Sequence, residues 1–326
     1  MNTRRKTLIA LALPVMAMAT ATSSVHADNY PTRPVRLVVP YAPGGSADIV
    51  ARRISEEWSK QLGGSIYVEN KAGAGGNIGV NDVAKSAPDG YSVGLQTVSL
   101  AINPSIFRKM PYDTLKEIAP VGMVATSQHV LIVNNGFPAK TTAELVAAAK
   151  AAPGKFNYGS AGSGSTFHMS AELFKTAAGV DITHIPYKGG GPALIDTIAG
   201  QVDMSFPVLS AAQPHIQAGK VRALGVTGPK RSSLMPNVPT LAESGVPGYH
   251  FETWFIAFVP AGTPKDVVEK LNATLNKTLA SPTLKERMVK EGFDPTPSTP
   301  QQAQDKLKTE MDSWAKLVKA RGITAE

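Results

Sequence analysis

The 326-residue chain carries 33 Lys and Arg against 25 Asp and Glu, a formal net charge of +8, with no cysteine and 6% aromatic residues. The missing cysteines exclude disulfide frameworks, thiolate metal sites, cysteine nucleophiles and a lipid anchor attached through sulfur. Its basic residues are scattered rather than run together and few aromatics lie among them, so nucleic acid is not an expected partner.

The chain begins with the pattern of an export signal. Arg4, Arg5 and Lys6 form a basic head, residues 8–19 an apolar stretch too short to span a bilayer comfortably, and Val25-His26-Ala27 a small-residue cleavage pattern. Residues 1–27 are expected to be removed on export to the periplasm. With those three basic residues gone, the mature chain carries +5. No later segment reaches about 18 unbroken apolar residues, so a soluble protein is expected.

Strand-like runs follow at 35–39, 65–69, 91–97, 118–124, 130–134, 155–159, 182–186, 202–206, 221–226 and 251–259. Helical patterns lie between several of them. Ala47, Val50, Ala51, Ile54, Trp58 and Leu62 share one helical face, and an Ala-rich helix at 142–152 closes at Pro153-Gly154. The alternation predicts α/β architecture with parallel sheets. From 264 onward helices take over, at 265–280, 283–291 and 301–320, with one extended piece at 293–296. These form a tail expected to wrap back onto the first lobe.

Two strand-to-helix loops are rich in glycine and hydroxyls. Pro43-Gly-Gly-Ser-Ala-Asp48 opens the helix after the first strand, and Gly159-Ser-Ala-Gly-Ser-Gly-Ser-Thr166 opens another, with His168 one turn inside. Such turns aim backbone N–H groups at the space above a helix N-terminus, where the helix dipole also favours an anion. The first loop also reads as an ordinary Ser-capped turn. The second carries more hydroxyls than a cap needs. Tyr187-Lys-Gly-Gly-Gly-Pro192 opens a third helix and is either another anion-friendly rim or a plain turn. In Glu69-Asn-Lys-Ala-Gly-Ala-Gly-Gly-Asn-Ile-Gly79, Ile78 stands where a dinucleotide fingerprint requires glycine.

Enzyme signatures are missing. There is no GxSxG elbow, no phosphate-binding GxxxxGK[ST] loop and no HExxH, and the six histidines show no metal-ligand spacing. No catalytic residue, cofactor or metal is expected. A secreted hydrolase using Ser163 or Ser165 is the alternative of a different class.

The segments 39–48, 69–79 and Asn103-Pro-Ser-Ile-Phe resemble those of the Bug-type extracytoplasmic receptors of tripartite tricarboxylate transporters. Residues 158–165, 184–194, 238–248 and 254–264 continue that resemblance in unbroken order. It implies a two-lobed periplasmic binding protein of the second type, with two crossovers and a central cleft. Lobe 1 would take 28–127 plus 252–326, and lobe 2 would take 128–251. The implied ligand is a small dicarboxylate, tricarboxylate or aromatic acid, delivered by a monomeric receptor to the membrane subunits of the transporter. A role in ligand sensing is the other receptor reading.

Carried onto this sequence, the carboxylate-gripping positions are Tyr41, Gly45, Ser46, Ala47 and Asp48 on one side. Ser160, Gly162, Ser165, Thr166 and His168 are their counterparts on the other, with Thr97, Ser99, Thr253 and Trp254 lining the far side. Ala47 departs from the threonine common in the family, which removes a hydroxyl. Neither principal loop contains arginine, so recognition is expected to rest on N–H groups, hydroxyls and water rather than on a guanidinium fork. Tyr41, Phe167 and Trp254 are aromatic candidates to meet a ring-bearing acid.

Overall fold

The computed structural model describes residues 30–187 and 189–324. The expected signal, 1–27, lies outside the described residues. In chain order the first part runs β1 (Val35–Val39), α1 (Ser46–Leu62), β2 (Ile66–Asn70), a 3-10 turn (Ala74–Gly76), α2 (Asn77–Ala84), β3 (Ser92–Thr97), α3 (Ser99–Ile106) and β4 (Ile118–Gln128). The middle part runs β5 (Val130–Asn134), α4 (Thr142–Ala151), β6 (Asn157–Ser160), α5 (Thr166–Ala178), β7 (Thr183–Pro186), α6 (Gly190–Ala199), β8 (Met204–Ser205), α7 (Leu209–Gln217) and β9 (Val221–Val226). The chain closes with β10 (Glu252–Pro260), α8 (Lys265–Leu279), α9 (Pro282–Lys290), β11 (Asp294–Pro295) and α10 (Pro300–Arg321).

Two sheets result. One has the order β11-β4-β10-β3-β1-β2, and the other β7-β6-β8-β5-β9. The first draws strands from both ends of the sequence and the second only from the middle. Helices cover the sheets, giving a two-lobed α/β protein.

The sheets are mixed, which corrects the expectation of parallel ones. β1 pairs in parallel with β2 and β3, but β10 is antiparallel to both β3 and β4, and β5 is antiparallel to β8 and β9. A parallel neighbour needs a crossover that returns the chain to the same end of its sheet. β5 and β10 instead enter directly from the other lobe, so they run the opposite way. The crossings meet at one place, where Thr227 N–H donates to the His129 carbonyl and Phe251 N–H to the Thr227 carbonyl, both at 2.9 Å.

Side-chain patterning explains the local elements. Along α1 the periodic apolar residues Val50, Ala51, Ile54, Trp58 and Leu62 are all buried. Trp58 also satisfies its indole by donating Nε1–H to Thr274 Oγ1 on α8 at 3.0 Å, as a buried tryptophan must. α10 starts with a reciprocal capping box between Thr299 and Gln302 and buries Ala303, Leu307, Trp314 and Val318. Its last turn reaches the middle part of the chain, where Arg321 Nε donates to Glu172 Oε2 on α5 at 2.8 Å. No helix among the described residues is long and apolar enough to cross a membrane.

Candidate functional site

A cavity of about 880 Å³ lies between the two sheets and takes walls from both. One wall is the β1–α1 turn. α1 begins without a side-chain cap, because its N-cap is Gly45. The first N–H groups of the helix therefore keep their hydrogen-bonding capacity, and Gly45, Ser46 and Ala47 border the cavity.

Asp48 holds that turn from behind. Its buried carboxylate accepts Gly44 N–H at 2.9 Å, Asn70 Nδ2 at 2.9 Å and Arg52 Nε at 3.0 Å. Burial would raise its pKa, but the bonds from Arg52, Gly44 and Asn70 together hold it below the usual value, so it stays ionised. Asn70 also donates to the Tyr41 carbonyl at 3.0 Å, which ties the strand end to the helix start. The charge expected in the site is thus consumed in building it.

The opposite wall is the β6–α5 loop. Ala161, Ser163, Gly164, Ser165 and Thr166 border the cavity. Ser165 caps α5 by accepting His168 N–H. Gly164 N–H donates to His168 Nδ1 at 2.9 Å, and Ser160 Oγ meets His184 Nε2 at 2.6 Å. The His168 and His184 rings stack at 4.0 Å and 9°, with Tyr158 continuing the stack at 4.9 Å from His184. Burial, aided by the neighbouring His184, pushes the His168 pKa down to about 4. A neutral ring with Nδ1 as acceptor is what the Gly164 bond requires. Gly162, at φ +113°, donates its N–H to Ser160 Oγ and shapes the turn.

The floor joins hydroxyls. Tyr41 OH and Thr97 Oγ1 are 2.9 Å apart, Thr97 Oγ1 and Ser99 Oγ 3.2 Å, and Thr253 completes the group bordering the cavity. Thr97 N–H donates to Gln96 Oε1 at 2.6 Å, anchoring the network in the sheet.

Of the positions expected to grip a ligand, the cavity brings together Tyr41, Gly45, Ser46, Ala47, Thr97, Ser99, Ser165, Thr166 and Thr253. Asp48, Ser160, Gly162, His168 and Trp254 do not border it. The first four brace the two loops by the bonds described. Trp254 points away because successive strand residues face opposite sides, and Thr253 takes the side of the cleft. Phe167 is buried too, its ring 5.7 Å from that of His129.

Several lining residues lay outside the expected set. Ala74 and Gly75 come from the Gly-rich loop, Asn103, Ile106 and Phe107 from the end of α3, and Pro186, Gly189 and Gly190 from the β7–α6 turn. Each falls in a segment whose composition was visible, but the reach of α3 across the cleft is a tertiary fact with no local signal. Among the described residues, no charged side chain borders the cavity. Also among them, no group of three His, Cys, Asp or Glu could hold a metal.

The arrangement does not favour serine chemistry. Ser165 is occupied as a helix cap, His168 spends its acceptor nitrogen on Gly164 N–H, and the Ser160–His184 pair stands behind the wall. The site is built to hold an acceptor-rich molecule by donors.

Residues 50–323 match the family model for the tripartite tricarboxylate transporter family receptor. The protein BugT of Bordetella pertussis is 37% identical over 94% of this chain and 95% of its own. A Rhodopseudomonas palustris protein solved with adipate superposes with a TM-score of 0.81 at 38% identity, covering 90% of this chain and 99% of that one. MatC from the same species, solved with bound malate, gives 0.76 at 32% identity over 89% and 100%. The matched family is one of periplasmic solute-binding receptors and not of enzymes, which removes the hydrolase alternative. The chain belongs to the receptor family of the tripartite tricarboxylate transporters, with its two-lobed periplasmic binding protein fold.

Proposed function

We propose that this receptor binds a small organic carboxylate in the cleft between its sheets and delivers it to the membrane subunits of a tripartite tricarboxylate transporter. One observation carries the reading. The uncapped start of α1 and the hydroxyl-bearing start of α5 converge on one cavity that no charged side chain borders among the described residues. Carboxylate oxygens would be held by N–H groups and hydroxyls from both sides, each charge-assisted bond contributing about 1.5–3 kcal/mol. The adipate and malate found in two related structures fit that chemistry.

Residues 28–127 with 252–326 would move as one lobe and 128–251 as the other, pivoting near His129, Thr227 and Phe251. Ligand gripped by both would stabilise the approach of the lobes. The site is proposed to comprise Tyr41, Gly45, Ser46, Ala47, Thr97, Ser99, Ser165, Thr166 and Thr253, braced by Asp48, Ser160, Gly162 and His168. Export by a cleaved signal would place the receptor, as a monomer, in the periplasm.

A thermal-shift screen of organic acids tests the reading. A ligand at 100 times its dissociation constant adds about 2.7 kcal/mol of stability. Stabilisation by one or more carboxylates, absent with the matching amides, is expected. No stabilisation by any di-, tri- or aromatic acid would refute it.

A further inference from the structure

The polarity of the cleft floor follows from a buried ring. His129 is fully buried where β4 gives way to β5, and both of its nitrogens are engaged. Nδ1 lies 2.8 Å from the Phe206 carbonyl oxygen and Nε2 lies 2.8 Å from Thr253 Oγ1. A carbonyl oxygen only accepts, so Nδ1 carries the proton. Burial pushes the ring pKa down to about 4 despite the bond to Phe206, so the ring is neutral near pH 7 and Nε2 is an acceptor. Thr253 must therefore spend its hydroxyl proton on His129. Only acceptor capacity remains on Oγ1 for anything else that meets it.

Asn103 reaches the same polarity by a different route. Its Nδ2 donates to the Gly75 carbonyl at 3.0 Å and to Asn77 Oδ1 at 2.8 Å, and Asn77 Oδ1 also accepts Tyr112 OH at 2.9 Å. Turning the amide round would set two oxygens against each other at Gly75, so the orientation is fixed. Both Nδ2 hydrogens are used. Oδ1 has no partner among the described residues and is not sealed in the interior, and the side chain lines the cavity.

Two acceptors with fixed orientation therefore belong to side chains bordering a cavity whose other polar lining is made of N–H groups and hydroxyls. A bare carboxylate offers neither of them a hydrogen, and burying either unmatched is unfavourable. An ammonium would supply hydrogens but would find no charged side chain among the described lining residues. We propose that the ligand is a hydroxy acid, and that Thr253 selects it over the unsubstituted acid by accepting the hydrogen of its hydroxyl, while Asn103 Oδ1 is left to accept from water or another donor. This rests on the carboxylate reading above. A pocket built around a substrate hydroxyl can reject the analogue lacking it far more strongly than a pocket that merely fits its shape.

Calorimetry on the receptor with matched pairs tests the inference: succinate with malate, glutarate with 2-hydroxyglutarate, and adipate with 2-hydroxyadipate. In the best-binding pair the hydroxy acid should bind at least ~10-fold tighter. Thr253→Val, which keeps the shape but not the hydroxyl, should bring that ratio close to one, and Thr253→Ser should preserve it. An unsubstituted acid that binds as tightly as its hydroxy partner would overturn the inference and leave the carboxylate reading standing. So would a ratio that survives in a folded Thr253→Val protein. If Thr253→Val does not fold, the wild-type ratio alone decides. Failure of all six acids, together with failure of every acid in the thermal screen, would overturn the carboxylate reading and the inference with it.

Discussion

Gly164→Ala separates the cost of lobe approach from the cost of folding. Gly164 sits at φ +76°, and a Cβ built on it would lie 2.4 Å from Ile106 Cδ1, at the end of α3 on the opposite wall. Ordinary contact begins at 3.4 Å, so Ile106 or the loop must shift by about 1 Å. Two penalties follow. Left-handed backbone costs alanine about 1–2 kcal/mol whether the lobes are together or apart, and so it lowers stability. The overlap with Ile106, about 1–3 kcal/mol by analogy with overpacked cores, exists only when the loops meet across the cleft. It should therefore weaken ligand binding by about 5- to 150-fold. Calorimetry reads the affinity and scanning calorimetry the stability. In a double-mutant cycle with Ile106→Ala, which removes the offending atom, the affinity loss due to Gly164→Ala should largely vanish while its stability deficit remains. Unchanged affinity in Gly164→Ala, or an equal loss with and without Ile106, would refute the reasoning.

Ser46→Pro should fold, because position N1 of a helix tolerates proline and Gly45, at φ −78° and ψ 168°, suits the residue before it. It should still weaken binding at least ~10-fold by removing an N–H and a hydroxyl from the cleft, as titration calorimetry would read. Glu172→Ala should destabilise the protein by about 3–5 kcal/mol in denaturant titrations, since it strips the half-buried Lys175 and the buried Tyr158 of their partner. Acidification offers a further check. His129 and His168 are held near pKa 4 against an ordinary 6.5, so between these values the unfolded chain binds more protons than the folded one. Stability should be full above about pH 6.5 and fall progressively toward pH 4, by about 2 kcal/mol per ring at pH 5. A flat stability profile from pH 7 to 5 would contradict it.

Much of this design is legible in the sequence because it is local. The apolar face of α1 and the glycine and hydroxyl content of the two loops depend only on neighbours in the chain, and both loops do border the cavity. What stays hidden is direction. Asp48 stands one helical turn from the cleft in sequence, yet its carboxylate turns back onto Gly44, Asn70 and Arg52, and Asn70 arrives from another strand. His168 reads as a ligand contact until His184, from β7, stacks on it and Gly164 takes its nitrogen. Strand direction is hidden for a similar reason: composition reveals a strand, but not which lobe the chain has just left. Ile106 and Phe107 became cleft residues only through the packing of α3, which no periodicity discloses.

The bond between Arg321 and Glu172 makes the closing turn of α10 a mechanical part. α10 lies along the first lobe for 22 residues, and its closing turn holds a carboxylate on the helix that carries the Gly/Ser loop. The same carboxylate accepts Tyr158 OH, and Tyr158 stacks on His184 behind that loop. A change in that closing turn would therefore act on the joint between the lobes rather than on a passive stretch of surface. Reporters of lobe movement belong elsewhere on the surface.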